Sequence, residues 1–208
     1  MDVRRILFPK TRCALCGGEI FEDRDLCPDC LKKMDRLKRP REILGEIVKG
    51  HAVFRYRGEV KTLVLDFKYR DKRFLKDYFV QEMVPFLEGF GMDFDVIVPV
   101  PDSRQRRWTR GFNPSLSLSR GISKASGIPL SKGLLRRKRE TRPLKEIPLN
   151  QRQAHLEGAF EAQNPLGFKR GLIVDDIYTT GATVTACGEA LYAVGFDEIV
   201  FLAVASNY

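Results

Sequence analysis

Val96-Ile97-Val98, Leu172-Ile173-Val174 and most of Glu198–Ala205 run apolar without a break. Such runs are expected of strands buried on both faces of a parallel sheet. Elsewhere the apolar residues fall at helical spacing. Val60, Leu63, Val64 and Phe67 mark one face of Glu59–Arg70, and Phe79, Met83, Phe86 and Leu87 mark Phe74–Leu87, whose C-terminal end Pro85 leaves open. Pro114 opens a helix over Ser115–Ala125, and Gly195 ends one over Ala182–Val194. His51–Tyr56 alternates as a strand does, Ile128–Leu135 is a further strand candidate, and Gly158–Phe160 is expected to pair briefly with the sheet. Strands alternating with helices predict an α/β fold: a central, mostly parallel sheet flanked by helices.

Chemistry gathers at the end of one buried strand. Leu172–Val174 runs into Asp175 and Asp176, then into the turn Thr179-Thr180-Gly181-Ala182-Thr183, which opens the next helix. Open α/β sheets bind their ligands at the carboxyl ends of strands. Backbone N–H groups at a helix start, with threonine hydroxyls beside them, form a phosphate cradle. Carboxylates accept hydrogen bonds from a sugar diol. The pairing suits a ribose 5-phosphate unit, against the plainer reading of an acidic strand end and a threonine-rich cap.

At 208 residues the chain fits one α/β domain, 41–208, behind a small N-terminal unit, 1–40. No run of about eighteen apolar residues marks a membrane span. Met1–Lys10 lacks the apolar segment and cleavage site of a secretion signal, so a cytoplasmic location is expected. The formal charge of +9 fits a basic solvated surface, or polyanionic ligands such as a pyrophosphorylated sugar or nucleic acid.

Cys13, Cys16, Cys27 and Cys30 give the spacing C-x2-C-x10-C-x2-C, suited to a closed tetrahedral Zn2+ site in a ribbon too small for a core of its own. Two disulfides are the rival reading, without support from an oxidising compartment. Cys187 falls on the apolar face of Ala182–Val194 and reads as core. Leu31–Arg41, rich in Lys and Arg and carrying Pro40, reads as a linker or short helix.

The run Leu172–Thr183 resembles, without a gap, the phosphoribosyl-pyrophosphate (PRPP) signature of the type I phosphoribosyltransferases. Val96–Val98 ends in Pro99, Pro101 and the polar run Asp102-Ser103-Arg104, which looks like the pyrophosphate loop of glutamine PRPP amidotransferases. Arg110-Gly111-Phe112-Asn113, Phe54–Gly58, Phe67-Lys68-Tyr69 and the four-cysteine ribbon extend the likeness. Over nearly its whole length the chain resembles the competence protein F (ComF) family. That resemblance implies a type I phosphoribosyltransferase fold behind a zinc ribbon. PRPP would lie with its phosphate on Thr179, Thr180, Gly181, Ala182 and Thr183, its ribose on Asp175 and Asp176, and its pyrophosphate on Pro101, Asp102, Ser103 and Arg104, with Mg2+ between diol and pyrophosphate oxygens. It also implies a hood over the site, matched here by the polar loop Arg136–Gln153. Family members carry a Gln and an Asn where this chain has Leu144-Lys145-Glu146 and His155; a lone loop histidine is a candidate general base but more often none.

Two functions follow as expectations. One is phosphoribosyl transfer to an unidentified acceptor with pyrophosphate release. The other is a non-catalytic role in DNA uptake, with the arginines of 104–110 and 136–139 on single-stranded DNA, or the ribbon docked on a protein of the competence machinery.

Overall fold

The computed structural model describes residues 12–20, 24–37, 43–44, 48–89, 93–142 and 146–207. The expectations placed on Met1–Lys10, Pro40, Leu144 and Lys145 lie outside the described residues. The elements in chain order are α1 (Pro28–Lys32), β1 (Ile43–Leu44), β2 (Lys49–Arg55), α2 (Gly58–Tyr69), α3 (Leu75–Met83), α4 (Pro85–Glu88), β3 (Val96–Pro99), α5 (Arg104–Arg110), α6 (Pro114–Ser126), β4 (Leu135–Arg137), α7 (Arg152–Leu156), β5 (Phe160–Ala162), β6 (Arg170–Tyr178), α8 (Ala182–Tyr192) and β7 (Glu198–Ser206).

The main sheet has the order β1-β2-β7-β6-β3. Only the β1–β2 pairing is antiparallel; β2–β7, β7–β6 and β6–β3 are parallel. The unbroken apolar runs are explained by their two faces. Leu172, Val174, Val200, Leu202 and Val204 point into one core layer, while Ile173, Ile199, Phe201 and Ala203 point into the other. The first layer packs under α2, α3 and α6, with Leu63, Phe67, Phe79 and Leu118 fully buried. The second packs under α8 through Cys187 and Leu191.

Three boundaries differ from the pattern reading, each for a local reason. β6 continues past the acidic pair to Tyr178, with Asp175 in register with Ala203, so the carboxylates sit inside the strand's last residues. Phe74–Leu87 is two helices, because Pro85 has no N–H to continue α3 and starts α4 instead. Ile128–Leu135 is not one strand. Leu130 bridges Ile97 at the sheet edge, the chain bends over 132–134, and β4 then pairs with β5 in a separate two-stranded sheet. Phe160 therefore pairs with Arg137 rather than with the main sheet.

The ribbon is part of the first core layer. Cys13, Ile20, Leu26, Cys30 and Met34 pack with Phe54, Leu63 and Phe67. Asp66 of α2, only 2% exposed, accepts from Arg70 Nη1 (3.0 Å) and Lys72 Nζ (2.7 Å). The same Lys72 ammonium donates to the Ala14 carbonyl (2.7 Å) between the first two cysteines. The described part of the stretch expected as a linker, residues 31–37, is α1's last turn followed by an edge pairing: Leu37 N donates to Val53 O (3.0 Å) and Arg55 N to Asp35 O (2.9 Å). Among the described residues no helix is long and apolar enough to cross a membrane.

A shared core makes the ribbon's metal a stability element for the whole chain. Chelating the zinc is expected to lower the melting temperature of the protein in a single calorimetric transition. A ribbon that melts separately, leaving the main transition where it was, would contradict this packing.

Candidate functional site

A cavity of about 450 Å³ opens at the carboxyl edge of the sheet. Pro101, Asp102 and Ser103 reach it from the loop after β3, and Asp175, Asp176, Thr179 and Thr183 from β6 and the start of α8. Most of the residues singled out in two distant stretches thus face one space. Thr180, Gly181 and Ala182 are not on its wall but build the turn behind it. Arg104 turns away and lines a second cavity on the far side of the Pro101–Asp102 loop.

The acidic pair is held by donors from two helices. Ser115 Oγ of α6 donates to Asp175 Oδ1 (2.7 Å), which also accepts the Asp176 N–H (2.9 Å). Lys68 Nζ, near the end of α2, donates to Asp176 Oδ1 (2.7 Å), with both side chains 11% exposed. Oδ2 of each carboxylate has no described partner. Burial and the neighbouring Asp176 charge push the Asp175 carboxyl up to about 7, against Ser115 and Lys68, which pull it down. Burial, and then Asp176, also raise Tyr56 on the cavity wall.

The turn after β6 depends on Gly181. Its φ is +82°, and a Cβ there would lie 2.5 Å from the Tyr178 hydroxyl. Tyr178 is itself stacked on Phe201 with centroids 4.5 Å apart. Thr180 Oγ1 is buried in this turn without a hydrogen-bond partner among the described residues.

The Arg110–Asn113 box braces the loop after β3. Arg110 Nη1 pairs with Asp102 Oδ2 (3.5 Å), both side chains under 10% exposed, while Nη2 donates to Tyr69 OH (2.7 Å). Gly111 turns the chain with φ +71°. Phe112 packs edge-on against Phe67, and Asn113 both caps α6 at Leu116 N (3.1 Å) and donates to Val100 O (3.0 Å). Burial raises the Asp102 carboxyl, with Arg110 and Arg106 opposing. Ser103 caps α5 at Arg106 N (3.2 Å), and Arg104 N is taken by Glu140 (3.0 Å).

The long polar loop folds over the cavity. Leu149–Gln151 forms one 3-10 turn and α7 follows, anchored by buried Leu156. Arg137, Arg142 and Arg152 line the cavity from this side. His155, the candidate general base, is not on the cavity wall; its Nε2 lies 3.2 Å from the Arg142 carbonyl. Arg139 is occupied as well, donating to His155 O and Glu157 O. The second cavity, about 800 Å³, collects Arg104, Arg107, Arg120, Lys132 and Arg136, for which the described residues supply no ion pair. Trp108 of α5 is 91% exposed and is not on the wall of this cavity.

The zinc ligands are brought together. The Sγ atoms of Cys13, Cys16, Cys27 and Cys30 lie within 4.8 Å of one another, and Cys16 and Cys27 are 3.8 Å apart. A tetrahedral ion with Zn–S near 2.3 Å has an S–S edge of about 3.8 Å, so the set fits. Burial works against the Cys13 thiolate, yet the backbone N–H groups of Cys16, Cys27 and Leu15 outweigh it and hold the thiol down to about 6.

Lys68 and Ser115 were given no role by the sequence reading, although Phe67-Lys68-Tyr69 stood out as a motif. Their contact with the acidic pair is made only in three dimensions. The raised Asp175 value has a stability consequence. The folded protein holds that proton more tightly than the unfolded chain, so the carboxyl costs stability as pH rises from about 4 to about 7. Asp175→Asn is expected to be the more stable protein at about pH 8, by on the order of 2 kcal/mol or about 5 °C in melting temperature, with the gain vanishing below about pH 4. Equal or lower stability of the variant across that range would show that Asp175 is not strained.

Residues 3–43 match the double zinc ribbon domain, although the segment's four cysteines supply ligands for one tetrahedral centre. The competence protein F of Haemophilus influenzae is 24% identical over 195 residues, covering 90% of this chain and 81% of that protein. The competence protein ComFC of Bacillus subtilis is 26% identical, covering 88% and 72%. Among solved structures, an adenine phosphoribosyltransferase superposes with a TM-score of 0.37 and 20% identity, covering 61% of this chain and 69% of that one. The DNA utilization protein YhgH of Escherichia coli K12 is 33% identical over 195 residues, covering 88% of this chain and 85% of its own length. With likeness at that level over 88% of its length, the chain belongs to the competence protein F (ComF) family.

Proposed function

We propose that the cavity binds PRPP or ribose 5-phosphate, and that the protein transfers the phosphoribosyl group to an acceptor with release of pyrophosphate. The observation that carries this reading is the convergence, on one cavity, of Asp175 and Asp176, whose Oδ2 atoms have no partner among the described residues, and a threonine turn, facing Arg137, Arg142 and Arg152. The Oδ2 atoms suit the two ribose hydroxyls, and the Thr179–Thr183 turn suits the 5-phosphate. In the transfer, the C1–O bond to pyrophosphate breaks and the acceptor's lone pair forms the new bond at C1. Arg137, Arg142 and Arg152 would neutralise the leaving group, and the carboxylates the cationic character at C1. No side-chain nucleophile takes part; positioning and charge supply the rate. Mg2+ belongs to the proposal only as an ion carried by the ligand's diphosphate. Among the described residues the cysteines are the one cluster of metal-ligating groups, and Asp176 is already paired with an ammonium. PRPP and ribose 5-phosphate are expected to bind in calorimetry, and Asp175→Asn or Thr183→Val to weaken binding about ten- to a hundred-fold. Absence of binding, or unchanged affinity in both variants, would overturn the reading.

A second reading, contact with single-stranded nucleic acid, is favoured by a separate observation. Arginines from α5 and from β4, far apart in sequence, surround the second cavity, and α5 also carries an exposed indole, Trp108. Unpaired cations with an aromatic platform suit a strand of phosphates and bases. Relatives named for competence and DNA utilization are consistent with it. Trp108 is the only tryptophan, so its fluorescence reports stacking directly. Oligo-dT is expected to quench it at low salt, and Arg107→Ala with Arg136→Ala to make the log–log salt slope shallower by about 1.4. No quenching, or an unaltered slope, would count against this surface.

A further inference from the structure

We propose that Lys68 is the resident counter-ion of the acidic pair, and that it lets this site bind a ribose monophosphate without a divalent cation. The inference rests on the sugar-phosphate reading above and goes beyond it by assigning a positioning residue and a metal dependence.

Two carboxylates on adjacent residues at the floor of a cavity repel one another, and burial strengthens that repulsion. An ion or an ammonium must compensate for it. Here the compensation is built into the chain. Lys68 lies one residue from the end of α2, whose Val60, Leu63, Val64 and Phe67 are all fully buried, so the stem of the lysine starts from a fixed point. Its ammonium is 2.7 Å from Asp176 Oδ1, and the two side chains shield one another from water. The remaining inner oxygen, Asp175 Oδ1, accepts the Ser115 hydroxyl and the Asp176 N–H.

The consequence is a division of the four oxygens. Both Oδ1 atoms are committed to the protein, and both Oδ2 atoms are left for a ligand that offers donors. Hydroxyl groups of a sugar are donors; a divalent ion is not, and it demands several oxygens in near-octahedral geometry. When both carboxyls are ionised, Lys68 brings the net charge of the pair from −2 to about −1, which lessens the electrostatic need for Mg2+. The ammonium also favours an anionic ligand in the same cavity. Lys68 touches Asp176 rather than the sugar, so its role is to orient and charge-balance the group that does.

The test is a set of calorimetric titrations of ribose 5-phosphate into the full-length, zinc-loaded protein, in magnesium-free buffer and at millimolar Mg2+. No chelator is added, because it would strip the ribbon. The wild type is expected to bind equally well in both buffers. Lys68→Met is expected to lose affinity about ten-fold or more without Mg2+ and to recover part of it when Mg2+ is added. Lys68→Arg is expected to retain binding in both. A wild type that binds only with Mg2+, or a Lys68→Met protein that binds as tightly as wild type without it, overturns the assignment of Lys68 while leaving the sugar-phosphate site standing. Failure of ribose 5-phosphate and PRPP to bind under any condition overturns both. Should Lys68→Met fail to fold, the two wild-type titrations alone decide the matter.

Discussion

Two carboxylates side by side at the end of a buried strand cannot be stable there unless other parts of the chain supply donors. In this structure the donors are Ser115 from α6, the Asp176 backbone and Lys68 from α2. Much of the fold serves to deliver them. Asn113 caps α6 and ties its start to the Val100 carbonyl, which brings Ser115 under Asp175. α2 is held by its buried face and by Asp66, which Lys72 connects to the first cysteine knuckle. The ribbon therefore bears on the cavity through one helix.

The same economy explains two groups among the chain's many cations. Arg110, Arg139, Arg36 and Lys72 are committed to bracing: on Asp102, on the His155 and Glu157 carbonyls, on Glu82 and on the ribbon. Arg104, Arg107, Arg120, Lys132 and Arg136 have no ion pair from the described residues and gather round the second cavity. A formal charge of +9 says only that cations are in excess. The geometry places these five beside the proposed sugar-phosphate cavity, with Arg137 and Asp102 on the wall common to both.

Much of this was readable in the sequence where one local rule decided the outcome. Leu172–Val174 and Glu198–Ala205 read as double-faced strands, because short unbroken apolar runs bounded by turn residues are expected where both faces of a strand are buried. The cysteine spacing admitted few geometries, and Gly195 and Pro114 marked helix ends by backbone chemistry alone. The failures came where tertiary pairing overrode local pattern. Nothing in Ile128–Leu135 announces that Leu130 will add to the sheet edge and Leu135 will leave it for β5. Arg104 stood next to Ser103 in sequence, yet α5 starts there and carries it to the other side of the loop. Lys68 was visible as part of a motif, but its partner is 108 residues away and no periodicity relates the two.

The central claim is spatial: the sugar phosphate lies between the β6–α8 turn and the loop after β3. Hydrogen–deuterium exchange of the zinc-loaded protein, with and without saturating PRPP, reads that location without mutation. The expected result is slowed exchange confined to peptides spanning 99–107 and 175–185, with the ribbon unchanged. Protection elsewhere with those two segments unaltered would contradict the claim.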